Sequence, residues 1–217
     1  MKPIFLTDID GVLISWQSGL VFFLNDKGLR SDHIVDSIAT ERYMGLSEIF
    51  DIATGRDLSY DEQMDLVNEY NGSDYIRYLP AYTDAIDCVS IMAEHYTFIG
   101  VTALSGKVPS LSYSNRKSNL DVLFPNVFED IIITEVFGSK YTAFNKIIEK
   151  YGIDNIYAYV DDLEHNLDAF RKAVSHTAPI VSPLIIRFDR RDNGEPKFDD
   201  VITVTDWYEI EDLIIWN

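Results

Sequence analysis

The chain has 217 residues, of which 47% are hydrophobic and 13% aromatic, so it predicts a folded globular protein and excludes a disordered one. Its formal net charge of −18 would repel a polyanion, so we expect no binding to nucleic-acid polymers. We also expect no membrane partner, since no apolar run approaches the ~20 residues of a membrane span. The single cysteine, and a first strand that leaves no room for a signal peptide, favour a cytoplasmic location.

The first predicted strand, residues 3–7, leads directly into Asp8-Ile9-Asp10-Gly11. Because side chains alternate along a strand, Asp8 and Asp10 are expected on the same side at its carboxyl end. Open α/β sheets bind their ligands at that edge. Two carboxylates held there can share a divalent metal and divide the roles of nucleophile and acid–base catalyst. The same pattern opens calcium loops, but the other oxygen ligands of an EF-hand do not follow at the required spacing.

Residues 15–80 predict helices and no strand. The predicted helices cover residues 19–24, 33–40, 46–52 and 60–70. A capping box, Ser59-x-x-Glu62, precedes the last of them. We therefore predict a small helical cap subdomain over residues 15–80, inserted after the first strand of a core formed by residues 1–14 and 81–217.

From residue 81 onward, predicted strands alternate with predicted helices, as is typical of a parallel α/β sheet. The strands cover residues 96–102, 131–134, 156–160, 184–188 and 201–204, and the helices cover residues 84–94, 141–151 and 163–174. The predicted fold class is α/β, with a three-layer, Rossmann-like parallel sheet.

Three further chemical signals lie where these elements begin or end. Thr102, followed by the small Ala103, ends one strand, Lys140 precedes a helix, and Asp161-Asp162 follow another strand. Each signal is weak alone, because a hydroxyl can simply end a strand, a lysine can be solvated and paired acids can form a turn. Asn166 lies four residues after Asp162 and could simply face solvent.

Gly100 to Gly106-Lys107 faintly resembles a phosphate-binding P-loop. The spacing has one residue too many, and Val108 stands where a serine or threonine must hold magnesium. We therefore interpret this segment as the loop that follows the second strand.

Taken in order, the four signals resemble the four motifs of the haloacid dehalogenase (HAD) superfamily of phosphatases. Residues 8–12 match the first motif, Thr102 the second, Lys140 the third and Asp161-Asp162 the fourth. The resemblance covers about residues 3–175. The 37 residues between Thr102 and Lys140 leave room only for a strand and a helix. The resemblance, together with this spacing, therefore implies a C1-type cap that is inserted between the first and second motifs.

The resemblance implies a magnesium-dependent phosphomonoester hydrolase. Asp8 would be the nucleophile that forms an aspartyl-phosphate, and Asp10 would protonate the leaving oxygen and then deprotonate the attacking water. Mg²⁺ would be held by the Asp8 carboxylate, the Asp10 main-chain carbonyl and Asp162, with Asp161 near or in the shell.

The two remaining motifs imply contacts with the phosphoryl group. The Thr102 hydroxyl and the Ala103 amide would bind phosphoryl oxygens, and Lys140 would neutralise their charge. A small phosphorylated metabolite is therefore the implied partner.

For the substrate, residues 8–16 and 18–23 resemble the 5′(3′)-deoxyribonucleotidase branch, in which an aromatic ring at the Trp16 position packs on the nucleobase. This implies a mononucleotide substrate with Trp16 as its stacking platform. Packing within the fold is the alternative for Trp16. A sugar-phosphate or general phosphatase, a phosphotransferase and a non-catalytic phospho-ligand-binding protein remain alternatives for the function.

Overall fold

The structure is a computed structural model that describes residues 2–39, 44–104, 109–135, 138–190 and 196–215. Its sheet has six strands: β1 (Ile4–Thr7), β2 (Thr97–Ala103), β3 (Phe128–Thr134), β4 (Ile156–Asp161), β5 (Leu184–Phe188) and β6 (Val201–Val204). The strand order is β3-β2-β1-β4-β5-β6, and each neighbouring pair is parallel. In this order, the chain runs outward from β1 on one side and returns to β4 on the other. The adjacent carboxyl ends of β1 and β4 are therefore the topological switch point where such sheets bind ligands.

The helices are α1 (Trp16–Asp26), α2 (Asp32–Ala39), α3 (Leu46–Thr54), α4 (Tyr60–Asn71), α5 (Thr83–Met92), α6 (Pro109–Leu123), α7 (Tyr141–Tyr151), α8 (Glu164–Ser175) and α9 (Trp207–Ile215). Short 3₁₀ helices cover Asp74–Tyr78 and Ile153–Asn155. The predicted capping box at Ser59 and Glu62 is confirmed at the start of α4. The sequence patterns gave no bounds for α6 and did not predict α9. In the described part of the chain, no helix is long and apolar enough to cross a membrane.

Helices cover both faces of the sheet. On one face, α7 and α8 pack their apolar sides against β1 and β4, and the rings of Phe144, Tyr159 and Phe170 meet at centroid distances of 4.8–5.1 Å. On the other face, Phe5 of β1 contacts the ring of Trp207 in α9. A parallel sheet that is buried on both faces requires largely apolar strands. In β1, the apolar side chains of Ile4, Phe5 and Leu6 are buried together with Thr7. The predicted three-layer α/β class is confirmed.

The chain divides into two compact units. The sheet unit comprises Met1–Ile14, Ala81–Ala103 and Leu120–Asn217, and the helical unit comprises Ser15–Pro80 and Leu104–Asn119. The predicted core included residues 104–119, whereas the structure groups them with residues 15–80. The reason lies in α6, where the side-chain amides of Asn115 and Asn119 donate to the backbone carbonyls of Ser73, Arg77 and Leu79.

Candidate active site

Two of the predicted acids lie side by side at the carboxyl ends of β1 and β4. The Asp8 amide donates to the Val160 carbonyl over 2.8 Å, which extends the ladder between these strands by one residue. Asp161 is the last residue of β4. Asp8 is 5% exposed and Asp161 is fully buried, so both carboxylates lie in a setting where charge is costly unless it is compensated.

Lys140 joins these two carboxylates. Its Nζ lies 2.8 Å from Asp8 Oδ1 and 2.8 Å from Asp161 Oδ2, and its side chain is 1% exposed. Burial alone would lower the pKa of Lys140, but the negative charges of Asp161 and Asp8 raise it above its ordinary value. Lys140 is therefore a fixed cation, and it lies immediately before the first residue of α7.

Asp161 is an anchoring residue with four hydrogen-bond partners. Besides Lys140, its carboxylate accepts from the Tyr159 hydroxyl, from Asn166 Nδ2 at 3.0 Å and from the Leu163 amide at 2.9 Å. Asn166 is buried, so the interpretation that it faces solvent is wrong. Burial, together with the charges of Asp161 and Asp8, raises the pKa of Tyr159, which keeps its phenol protonated as a donor.

A group of three carboxylates has the arrangement needed for a metal site. Asp8, Asp161 and half-buried Asp162 each offer one oxygen, and these oxygens lie within 4.8 Å of one another. Burial and the charges of Asp161 and Asp162 raise the pKa of Asp8, although Lys140 opposes them. A divalent cation with oxygen ligands, such as Mg²⁺, fits this donor set.

Thr102 and Asp10 meet beside this group. Thr102 is fully buried at the end of β2, and its Oγ1 donates to Asp10 Oδ2 over 3.1 Å. Ala103 follows as the last residue of β2 and pairs with Thr134 of β3. The structure therefore brings Asp8, Asp10, Thr102, Lys140, Asp161 and Asp162 to one edge of the sheet unit, as the sequence order predicted.

Residues 8–14, which we call the acidic turn, fold back on themselves immediately after β1. The amides of Leu13 and Ile14 donate to the Ile9 carbonyl, and the Gly11 amide donates to the Ile14 carbonyl, at distances of 2.9–3.0 Å. Gly11 has a φ of +86°, and a Cβ atom added to it would lie 2.6 Å from Asp162 Oδ2. The backbone conformation therefore favours glycine, and a Cβ atom at this position would also force the Asp162 carboxylate to shift.

Replacing Gly11 with alanine should destabilise the protein more than the ~1–2 kcal/mol that a left-handed conformation costs a residue with a Cβ atom. The matched control is Gly55→Ala, because Gly55 has a similar φ of +71° and no atom within 4 Å of an added Cβ. Denaturant unfolding of both variants separates backbone strain from the contact with Asp162. Equal losses in the two variants would show that Asp162 does not restrict Gly11.

Trp16 belongs to the helical unit, at the first residue of α1. Its Nε1 donates to Asn71 Oδ1 over 3.0 Å, and its ring lies edge-on to that of Tyr70 at a centroid distance of 4.9 Å. The Tyr70 hydroxyl in turn donates to the Trp16 carbonyl over 2.7 Å. These contacts give the indole a packing role within the unit, while its contact with a substrate stays a prediction.

Sequence comparison identifies one relative of this chain. No family model matches it. It is 39% identical over 170 residues to an uncharacterized 32.4 kDa protein of the Gp30-rIII intergenic region of Enterobacteria phage T4. The match covers 77% of this chain but 56% of the phage protein, so the chain spans little more than half of that relative's length.

Structural comparison identifies the fold. A haloacid dehalogenase-like family hydrolase from Streptococcus pneumoniae matches with a TM-score of 0.63 and 14% identity over 100% of this chain and 99% of its own. The magnesium-bound HAD-hydrolase candidate YfnB from Bacillus subtilis matches with a TM-score of 0.62 and 14% identity over 99% of both chains. The L-2-haloacid dehalogenase of Xanthobacter autotrophicus, with chloropropionic acid covalently bound, matches with a TM-score of 0.54 and 13% identity over 89% of this chain and 80% of its own. The chain therefore has the haloacid dehalogenase fold.

Proposed function

We propose that this protein is an HAD-type phosphatase, a magnesium-dependent phosphomonoester hydrolase that acts through an aspartyl-phosphate on Asp8. The observation that carries the proposal is the grouping of the carboxylates of Asp8, Asp161 and Asp162. The first two bind Lys140, and the hydrogen-bonded pair of Asp10 and Thr102 lies on the same edge of the sheet. This group combines a carboxylate nucleophile, a second carboxylate for proton transfer and a fixed cation.

Mg²⁺ would be held by the carboxylates of Asp8 and Asp162 and by the main-chain carbonyl of Asp10, with Asp161 nearby, and it would supply positive charge to the phosphoryl oxygens. Asp161 is the weakest of these ligands in the proposal, because its carboxylate already binds Lys140, Asn166 and the Leu163 amide. Its main role is to hold Lys140 against Asp8.

Two displacements on phosphorus follow from these residues. An Asp8 carboxylate oxygen attacks phosphorus, and the bond from phosphorus to the ester oxygen breaks while Asp10 gives that oxygen a proton. Asp10 then takes a proton from a water molecule that attacks the aspartyl-phosphate, which releases inorganic phosphate and restores the Asp8 carboxylate. The bond from Thr102 holds Asp10 in place for both proton transfers, and Lys140 offsets the charge that builds up beside Asp8.

The same fold also occurs in a dehalogenase, the Xanthobacter protein, whose structure has chloropropionic acid covalently bound. Halide, however, leaves as a stable anion and needs neither a proton from a second carboxylate nor a divalent cation. The Asp10 carboxylate, which follows Asp8 by two residues, and the group formed by the carboxylates of Asp8, Asp161 and Asp162 therefore favour phosphoryl transfer.

For the substrate, we propose a nucleoside monophosphate, with a sugar phosphate or another small phosphomonoester as the alternative. The proposal is supported by the resemblance of the segment around Trp16 to the deoxyribonucleotidases. The test is phosphate release from a panel of mononucleotides, sugar phosphates and p-nitrophenyl phosphate, with Mg²⁺ and with EDTA. Absence of release from every compound by the folded protein, or full activity in EDTA, would contradict the proposed function.

Replacing Trp16 with alanine should raise KM for nucleoside monophosphates by about ten- to hundredfold, because base–aromatic stacking contributes ~1–3 kcal/mol. Hydrolysis of p-nitrophenyl phosphate should change little, since it depends on Asp8, Asp10, Thr102 and Lys140. The matched control is Tyr70→Phe, which removes the hydrogen bond to the Trp16 carbonyl and keeps the ring against the indole. Equal losses on both substrates in Trp16→Ala would instead mean that Trp16 only packs the helical unit.

A further inference from the structure

Two residues far along the chain bind the backbone of the acidic turn. The Val12 carbonyl accepts hydrogen bonds from Trp207 Nε1 at 3.1 Å and from Arg190 Nη2 at 3.3 Å. Val12 follows Asp10 by two residues, and its own side chain is fully buried. The orientation of the turn that carries Asp8 and Asp10 is therefore fixed in part by residues that follow the fourth motif.

Arg190 is itself held from several sides. Its Nη2 lies 2.8 and 2.7 Å from the two carboxylate oxygens of Asp84 in α5. Its guanidinium carbon lies 4.0 Å from the ring centroid of Tyr82 and 4.6 Å from that of Phe188. A cation that is paired with a carboxylate and stacked on two rings has little freedom, so its bond to Val12 is well directed.

Trp207 completes the network. Its backbone amide donates to Asp84 Oδ2 over 2.9 Å. The Asp84 carboxylate therefore binds both of the residues whose side chains donate to the Val12 carbonyl. Trp207 is fully buried and is the largest of the fully buried side chains in the described residues. We call Asp84, Arg190 and Trp207 the clamp.

The clamp contains polar contacts that packing alone does not require. A phenylalanine would fill most of the apolar space of Trp207, but it could not donate to a backbone carbonyl. The next carbonyl of the same turn, that of Leu13, accepts from the Tyr82 amide over 3.0 Å. Two successive peptide groups of the acidic turn are thus bonded to the rest of the sheet unit.

We propose that the clamp residues are positioning residues, which hold the acidic turn so that Asp8 and Asp10 keep the geometry required for the two displacements. This inference rests on the proposed function. It assigns a role in the reaction to Arg190 and Trp207, which act through the backbone of the acidic turn.

The test is Trp207→Phe, which keeps a buried ring and removes the donor to Val12. The matched control is Tyr208→Phe, which removes a bond from the neighbouring residue of α9 to Asp87 of α5 and leaves Val12 untouched. Hydrogen exchange is measured on peptides that cover the acidic turn and on peptides from α8, alongside kcat and KM for p-nitrophenyl phosphate with Mg²⁺.

In Trp207→Phe, exchange in the acidic turn should be about fivefold faster, as the loss of one hydrogen bond predicts, while exchange in α8 stays unchanged. We expect kcat to fall about tenfold with KM within about twofold, because a misplaced turn affects the reacting groups more than binding. Tyr208→Phe should change neither the exchange in the acidic turn nor kcat. Unchanged exchange in the turn, a uniform rise in exchange across all peptides, or a rise in KM with unchanged kcat would overturn the proposal.

A second variant keeps the test decisive if Trp207→Phe does not fold. Arg190→Lys retains a cation beside Asp84 but gives up the planar group that lies between the two rings. The same selective rise in exchange at the acidic turn is expected, and its absence would overturn the clamp. Wild-type protein without phosphatase activity would refute the proposed function, whereas the exchange measurements would still test the clamp.

Discussion

Replacing Asp8 with asparagine should reduce magnesium-dependent phosphomonoester hydrolysis by at least ~10³-fold, since an amide cannot replace the carboxylate nucleophile. Asparagine preserves the shape of the side chain next to Lys140, so the loss is chemical. The measurement is kcat for p-nitrophenyl phosphate with saturating Mg²⁺. The matched control is Asp168→Asn on the surface of α8, where Asp168 pairs with Lys172 at 2.6 Å, and it should leave the rate unchanged.

The stability of this variant distinguishes lost chemistry from lost fold. Burial and the neighbouring carboxylates raise the pKa of Asp8. The folded state therefore loses stability as the pH rises above the ordinary pKa of an aspartate, and the loss is complete above the raised pKa. Without metal, Asp8→Asn should therefore unfold at a temperature at least equal to that of the wild type near neutral pH. Activity that survives in Asp8→Asn would refute a covalent mechanism at this residue. A beryllofluoride group bound to Asp8 in a crystal would support it.

The sequence could predict the sheet and the acids because both depend on local pattern. Buried parallel strands such as β1 are short, largely apolar runs, and a carboxylate or hydroxyl directly after such a run must lie at the carboxyl edge. Asp8, Thr102 and Asp161 lie at or directly after strand ends, so the parallel topology brings them to one edge. Lys140 lies six residues after β3, and its place at the site was implied by the resemblance to the HAD motifs. The capping box of α4 could also be predicted from the sequence, since its two members are three residues apart.

The supporting contacts could not be predicted, because they join residues that are distant in sequence. The bond between Trp207 and Val12 spans 195 positions, and that between Arg190 and Val12 spans 178. Helix α9 did carry a usable signal, since Trp207, Ile210 and Ile214 repeat at helical spacing and are all buried. Asn166 lies four residues after Asp162 in the sequence, but its burial against Asp161 follows only from how α8 packs on β4.

Lys140 is the residue whose loss should affect both stability and catalysis. Its ammonium contacts both Asp8 and Asp161, and both contacts are 2.8 Å long. Removing one partner from a buried ion pair costs about 3–5 kcal/mol, because the remaining charges stay buried without compensation. We therefore expect Lys140→Met to lower the free energy of unfolding by about that amount when no metal is added.

The exposed pair of Lys150 and Asp130, 3.3 Å apart, provides the control, and Lys150→Met should cost no more than ~1 kcal/mol. In Lys140→Met, kcat should also fall by at least ~10²-fold, because a fixed positive charge beside the reacting carboxylate is lost. Affinity for Mg²⁺, measured by calorimetry, should not fall, since removal of an ammonium makes the carboxylate group more negative. If the variant bound Mg²⁺ more weakly than the wild type, Lys140 would be organising the carboxylates rather than neutralising charge, and the role proposed for it here would be wrong.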